Sequence, residues 1–271
     1  MAKAPLKDWW KTFFGPLAGE VMFTPRGGGR ARVEVAAIRR RVGIAPGARI
    51  LDVPCGTGRH AMVFARAGFA VVGLDYSRPY LAAARAAAKA AGLGARLRFV
   101  RGDMRRLANH VAPGSFDLAV SLFNSFGYFD RRSDDARVVR QVFEALAPGG
   151  VFVVNTLHES GVRARLASPR QWGDEPLPNL FVVDRARYDR RRRKTEGLWT
   201  IVDARKSRVR ITRHRTSQHV YSHAALKRLL RAAGFRIERS WGMLEGKKLT
   251  PTSWHQTIAA RKSGARPGRR R

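Results

Sequence analysis

The 271-residue chain has one cysteine, seven histidines, and only 20 acidic residues against 53 lysines and arginines. A lone Cys55 excludes an internal disulfide, a multi-cysteine zinc site and a cysteine nucleophile outside its own turn. The isolated histidines, His60 and His110 among them, show no metal-ligand spacing. No apolar run approaches the eighteen or so residues of a membrane span. Lys7, Asp8 and Lys11 interrupt the N-terminus, which lacks the uncharged core of a signal peptide, so a cytoplasmic location is expected. Against these absences, 44% hydrophobic residues supply enough apolar surface for one domain plus an insert.

The informative stretch is Ile50-Leu51-Asp52-Val53-Pro54-Cys55-Gly56-Thr57-Gly58-Arg59-His60, followed by Val71-Val72-Gly73-Leu74-Asp75-Tyr76-Ser77. It reads as a buried strand, a glycine turn, a helix and a second buried strand that ends in a carboxylate. The helix N-terminus presents its partial positive charge to whatever lies on the turn. Asp75, about 20 residues past the turn, stands where a carboxylate accepts ribose hydroxyls. Gly56-x-Gly58-x-x-Ala61 also satisfies the dinucleotide fingerprint. Asp52 separates the two readings, because a carboxylate before the turn repels a pyrophosphate and suits a ligand that carries an ammonium group. S-adenosylmethionine has that ammonium and no phosphate.

The order Asp-x-x-x-Gly-x-Gly followed by an acid closing strand two resembles the cofactor loop of the class I S-adenosylmethionine-dependent methyltransferases. Leu97–Met104 is similar to their third strand and adenine turn, and Phe116–Phe129 to their fourth strand and methyl-facing loop. Phe143–Val154 is similar to their helix, Pro-Gly-Gly turn and fifth strand. Four motifs in order are far more specific than any one alone. The aromatic N-terminus (Trp9, Trp10, Phe13, Phe14) and the loop Leu122–Tyr128 narrow the resemblance to bacterial small-molecule enzymes with a type 25 methyltransferase domain. Pro54 departs from the pattern by replacing the first glycine of the loop and removing an N–H.

The resemblance implies a Rossmann-like, doubly wound α/β fold with a mostly parallel seven-stranded sheet and an antiparallel β insert before the last helix. It implies S-adenosyl-L-methionine as cofactor, held by Arg30, Asp52, Cys55, Gly56, Thr57, Gly58, Asp75, Tyr76, Asp103, Met104 and Leu122. Tyr128, His158 and His223 are the candidates for contact with the reacting groups, and no metal is called for. At the loop where enzymes that methylate base amines carry Asn/Asp-Pro-Pro-Tyr/Phe, this chain has Leu122-Phe123-Asn124-Ser125.

Residues 1–30 form an expected cofactor-covering segment, 31–160 the core, 161–221 the insert, 222–262 the helix and strands that complete the core, and 263–271 a disordered basic tail. Strands are expected near 48–53, 70–75, 96–101, 116–122 and 150–156, and again at 235–241 and 252–261. Three more, at 180–188, 198–205 and 209–220, form a meander that acts as a substrate lid.

The net charge of +33 is concentrated in Arg185–Arg215 and Arg261–Arg271 and is otherwise spread along the chain. Such stripes are an electrostatic footprint of polyanion binding; an arginine-rich composition gives the same count on solvated faces. The leading reading is methylation of an N or O atom of a small molecule, with weak nonspecific nucleic-acid binding through insert and tail. The alternatives are methylation of RNA, DNA or an associated protein, and a noncatalytic polyanion-binding module. The oligomeric state is left open.

Overall fold

The computed structural model describes residues 6–23 and 28–263; the expected basic tail, beyond Ser263, lies outside them. The chain opens with two short helices, α1 (Trp10–Phe13) and α2 (Pro16–Met22), and a longer α3 (Gly28–Val42). β1 (Arg49–Asp52), α4 (Arg59–Arg66), β2 (Ala70–Asp75), α5 (Arg78–Ala90) and β3 (Leu97–Arg101) form the first half of the core. A 3-10 helix (Met104–Asn109) leads to β4 (Phe116–Ser121), α6 (Arg132–Ala145), β5 (Leu146–Leu157) and α7 (Glu159–Arg165).

The seven-stranded sheet has the order β10-β11-β5-β4-β1-β2-β3, in which β10 is Phe235–Trp241 and β11 is His255–Lys262. All pairings are parallel except β10 with β11 and β11 with β5. Helices cover both faces, as parallel strands rich in Val, Ile and Leu require. On one side Ile38, Phe64, Leu81 and Ala84 pack onto Ile50, Leu118 and Val153. On the other, Val138, Val142, Leu226 and Leu230 pack onto Leu51, Ala119 and Phe152.

Inserted in the chain between β5 and β10 is a separate antiparallel sheet in the order β6-β7-β8-β9. Its strands are β6 (Arg170–Leu177), β7 (Leu180–Asp189), β8 (Lys194–Asp203) and β9 (Arg210–His219), followed by α8 (His223–Ala232). It therefore has four strands where the sequence pattern predicts three. The extra strand reads Arg-Gln-Trp-Gly-Asp-Glu-Pro-Leu, with no β-branched residue and with a glycine and a proline, and it survives as an exposed edge. β8 also begins four residues earlier than expected, because Lys194 at the end of the basic turn already pairs with His219. β5 begins before the Pro-Gly-Gly turn rather than after it.

Candidate functional site

The glycine turn connects β1 to α4 at the C-terminal edge of the parallel strands. Gly58 caps α4 at φ +75°, and a Cβ there would stand 2.6 Å from the Phe99 ring, so only glycine fits. Asp75, at the end of β2, accepts the Gly56 amide at 2.8 Å and the Ser77 amide at 2.8 Å. Burial pushes its pKa upward, and those amides oppose the shift. Ser77 caps α5 by accepting the Tyr80 amide, and it donates to the Phe14 carbonyl at 2.7 Å. That last bond ties the N-terminal segment over the turn.

A cavity of about 470 Å³ lies above this edge. Its floor is Gly56, Asp75, Tyr76, Asp103 and Met104; its roof is the aromatic segment Trp9, Trp10, Phe13 and Phe14; its outer wall is Trp172, Asp174, Asp184 and Trp199 from the four-stranded sheet. The roof spans both sides: Trp10 meets Tyr76 of the core at 4.8 Å, and Phe13 meets Trp199 of the insert at 5.2 Å between ring centroids. Among the described residues the lining holds four aspartates and no lysine, arginine or histidine. In a chain with 53 basic residues that is a strong local inversion of charge. It does not fit a pyrophosphate.

Several buried polar atoms at the cavity have no protein partner: Trp9 Nε1, Tyr80 Oη, Asn124 Oδ1 and Asp184 Oδ1. Beneath the turn, Asp52 is 1% exposed and its Oδ2 is likewise unpartnered. Burial, reinforced by the Asp75 charge, pushes the Asp52 pKa up to about 8. Asp103 is held from two sides by Arg105, with contacts of 2.6–3.1 Å. Burial acts against its charge, yet those bonds keep its pKa below the usual carboxylate value.

The structure thus brings Gly56, Asp75, Tyr76, Asp103, Met104 and Tyr128 to one cavity. Asp52, Cys55, Thr57 and Gly58 belong to the turn but not to the lining, and Leu122 packs in the core behind it. Cys55 is buried and its thiol is pushed well above its ordinary value by burial. Arg30 stands outside the lining, paired with Glu245 at 2.7 Å and Glu34 at 3.3 Å.

Of the three candidates for the reacting groups, only Tyr128 reaches the cavity. His158 contacts the Ser253 carbonyl at 3.2 Å and His223 contacts Gln256 at 3.0 Å, both at the junction of β5, β11 and α8. Position just after a strand or at a helix start left their direction open; here both rings turn toward the β11 side.

The sequence reading missed Tyr80, Trp172, Asp174, Asp184, Trp199 and Gln218. For Asp184 a signal existed. In β7 the inward positions Leu180, Val182 and Ala186 are apolar, and Asp184 breaks that alternation.

Residues 50–150 match the family described as Methyltransferase domain. This part of the chain is similar to the methyltransferase domains of S-adenosylmethionine-dependent enzymes, and the family match is confined to it. The chain is 34% identical over 114 residues to a glycine/sarcosine N-methyltransferase of Halorhodospira halochloris, covering 42% of this chain and 41% of that one. It is also 34% identical over 114 residues to a ubiquinone biosynthesis O-methyltransferase of Psychrobacter arcticus, covering 42% of each. The matches span less than half the length of these curated relatives. The fold extends further: the CcbJ methyltransferase of Streptomyces caelestis superposes with a TM-score of 0.78 at 21% identity, over 94% of this chain and 99% of that one.

Proposed function

We propose that the protein is an S-adenosylmethionine-dependent methyltransferase acting on an N or O atom of a small molecule. The cavity above the glycine turn, whose only charged lining residues among those described are aspartates, carries this reading. Its size is that of a small-ligand site, and its walls close over the turn from roof and insert. The curated relatives named above include one N- and one O-methyltransferase, which leaves the acceptor atom open at this level.

The chain's residues divide the work. Asp75 would hold the ribose hydroxyls, while its bonds to the Gly56 and Ser77 amides keep the turn in shape. Asp103 and Met104 would take the adenine, and Asp52, beneath the turn and behind the lining, would act on the ammonium through its charge. When bound, S-adenosylmethionine supplies a methyl group already activated by its sulfonium. The remaining task is to place the acceptor and exclude water, which the aromatic roof performs.

Asp75→Ala is expected to weaken S-adenosylhomocysteine binding by about 1.5–3 kcal/mol per bond lost, measured by calorimetry with NAD as the control ligand. Tight NAD binding without homocysteine-adduct binding would reverse the cofactor assignment.

The excess positive charge stays apart from this cavity. A larger open groove of about 870 Å³ gathers Arg185, Arg187, Arg191, Arg192 and Arg215, and shares only Thr216 with the cavity. Part of its charge is internally met, since Glu196 binds Arg187 and Lys194 stands 3.6 Å from Asp130. This division favours a polyanion surface distinct from the methyl acceptor. Competition with duplex DNA should therefore leave transfer to a small acceptor unchanged, and a proportional loss of rate would favour a nucleic-acid substrate.

A further inference from the structure

The four-stranded sheet presents one transverse row to the cavity. Strand register places Trp172 opposite Asp184, and Asp184 opposite Trp199. A carboxylate thus sits between two indoles on the wall that faces the cofactor turn. The cavity's other carboxylates have partners in the protein. Asp75 accepts two amides, Asp103 is clamped by Arg105, and Asp174 accepts the Glu175 amide. Asp184 is 6% exposed; the Trp199 side chain hydrogen-bonds its carboxylate, yet Oδ1 has no partner. Next to it, Gly197 lets β8 pack closely: a Cβ there would stand 2.5 Å from Thr216 Oγ1 and 3.2 Å from Asp184 Oδ1.

A buried carboxylate with one oxygen unpartnered is costly to keep. A neutral hydroxyl-bearing ligand has no need of one. An ammonium meets both features of the row, the charge of the carboxylate and the aromatic side chains that flank it. We propose that Asp184, between Trp172 and Trp199, receives the positively charged amine of the methyl acceptor and takes its proton, so that the freed nitrogen lone pair forms the bond to the methyl carbon as the methyl–sulfur bond breaks and S-adenosylhomocysteine leaves; the acceptor class is small aralkylamines. Burial drives the Asp184 pKa up to about 6, as expected for a carboxylate awaiting a cationic partner. This rests on the methyltransferase reading above and adds the substrate class to it.

The test offers the full-length protein labelled S-adenosylmethionine with two matched pools: primary and secondary aralkylamines, and the same compounds with hydroxyl in place of the amine. Label should enter the amine pool. For the amine most heavily labelled, Asp184→Asn should raise KM roughly ten- to a hundredfold, while S-adenosylhomocysteine affinity stays within about twofold. Asp184→Glu, which keeps the charge, should retain the amine preference. Loss of a buried charge with one oxygen unpartnered leaves the melting temperature of Asp184→Asn equal or higher, so a folding defect does not imitate the effect. Label in the hydroxyl pool alone, or an unchanged amine KM in Asp184→Asn, overturns the assignment while the methyltransferase reading stands. Label in neither pool, from a protein that binds S-adenosylhomocysteine, overturns the aralkylamine assignment, and the methyltransferase reading falls only if no other small acceptor is labelled.

Discussion

Asp52→Asn is expected to raise the melting temperature of the ligand-free protein and to weaken S-adenosylhomocysteine binding at least tenfold. Both effects come from one buried carboxylate. Asp52 ends β1 beneath the glycine turn, 1% exposed, with Oδ2 unpartnered. Burial first, then the charge of Asp75, pushes its pKa up to about 8, while Arg59 and the Ala61 amide oppose the shift. The folded pKa lies above the unfolded value of about 4. Between those pH values the unfolded chain binds fewer protons than the folded one, so this group's contribution to stability falls as pH rises from about 4 to about 8. At neutral pH the cost is on the order of 2–4 kcal/mol.

Asparagine keeps the shape and removes the titration. About 2–4 °C in melting temperature per kcal/mol recovered follows for a chain of this size. The ligand's ammonium reverses the balance by favouring the ionised form. Binding at pH 7 should therefore release close to one proton, read by calorimetry in buffers of unlike ionisation enthalpy. The asparagine variant should release none. Equal affinity and equal proton release in both proteins would remove Asp52 from the cofactor site.

The cofactor half of the site was legible because its chemistry is local. Asp52, Gly56, Gly58 and Asp75 lie within two adjacent strands and one turn, and the spacing of a βαβ unit fixes where they meet. The acceptor half is built from long-range pairings. Trp172, Asp184 and Trp199 come from three strands that only the register brings into one row, and β6 carries no hydrophobic alternation that would reveal it as a strand. Tyr80 was hidden differently. It reads as one more apolar residue in the first turn of α5, yet its ring stands against Phe23 and its hydroxyl reaches the cavity wall unpartnered. His158 and His223 show the converse failure, since being next to a motif in sequence says nothing of which face of the sheet a ring takes.

Asp135→Ala is expected to destabilise the protein by roughly 2–6 kcal/mol, the cost of leaving two buried donors without an acceptor. Asp135 lies on α6 and is fully buried. It accepts from the His219 ring at 2.7 Å and from the Tyr221 hydroxyl at 2.5 Å. These two residues stand where β9 leaves the insert and the chain enters α8, so the carboxylate fastens the base of the insert to the core.

The same seam is held by backbone. The His219 amide donates to the Gly127 carbonyl at 2.7 Å, and Gln218 donates to the Asn124 and Phe126 carbonyls at 2.9 and 2.8 Å. The loop after β4 that lines the cavity is therefore bound to the last strand of the insert. Loosening the seam should disturb acceptor contacts before cofactor contacts, since Gly56, Asp75 and Asp103 lie on the far side of the loop within their own network. Urea unfolding measures the first effect. Calorimetry with S-adenosylhomocysteine, well below the melting temperature, measures the second and should give an affinity within a few-fold of the parent. Asp135→Asn keeps one acceptor oxygen and should recover part of the loss. An unfolding midpoint unchanged in Asp135→Ala would show that the insert is fastened to the core by the Gly127 and Gln218 bonds alone.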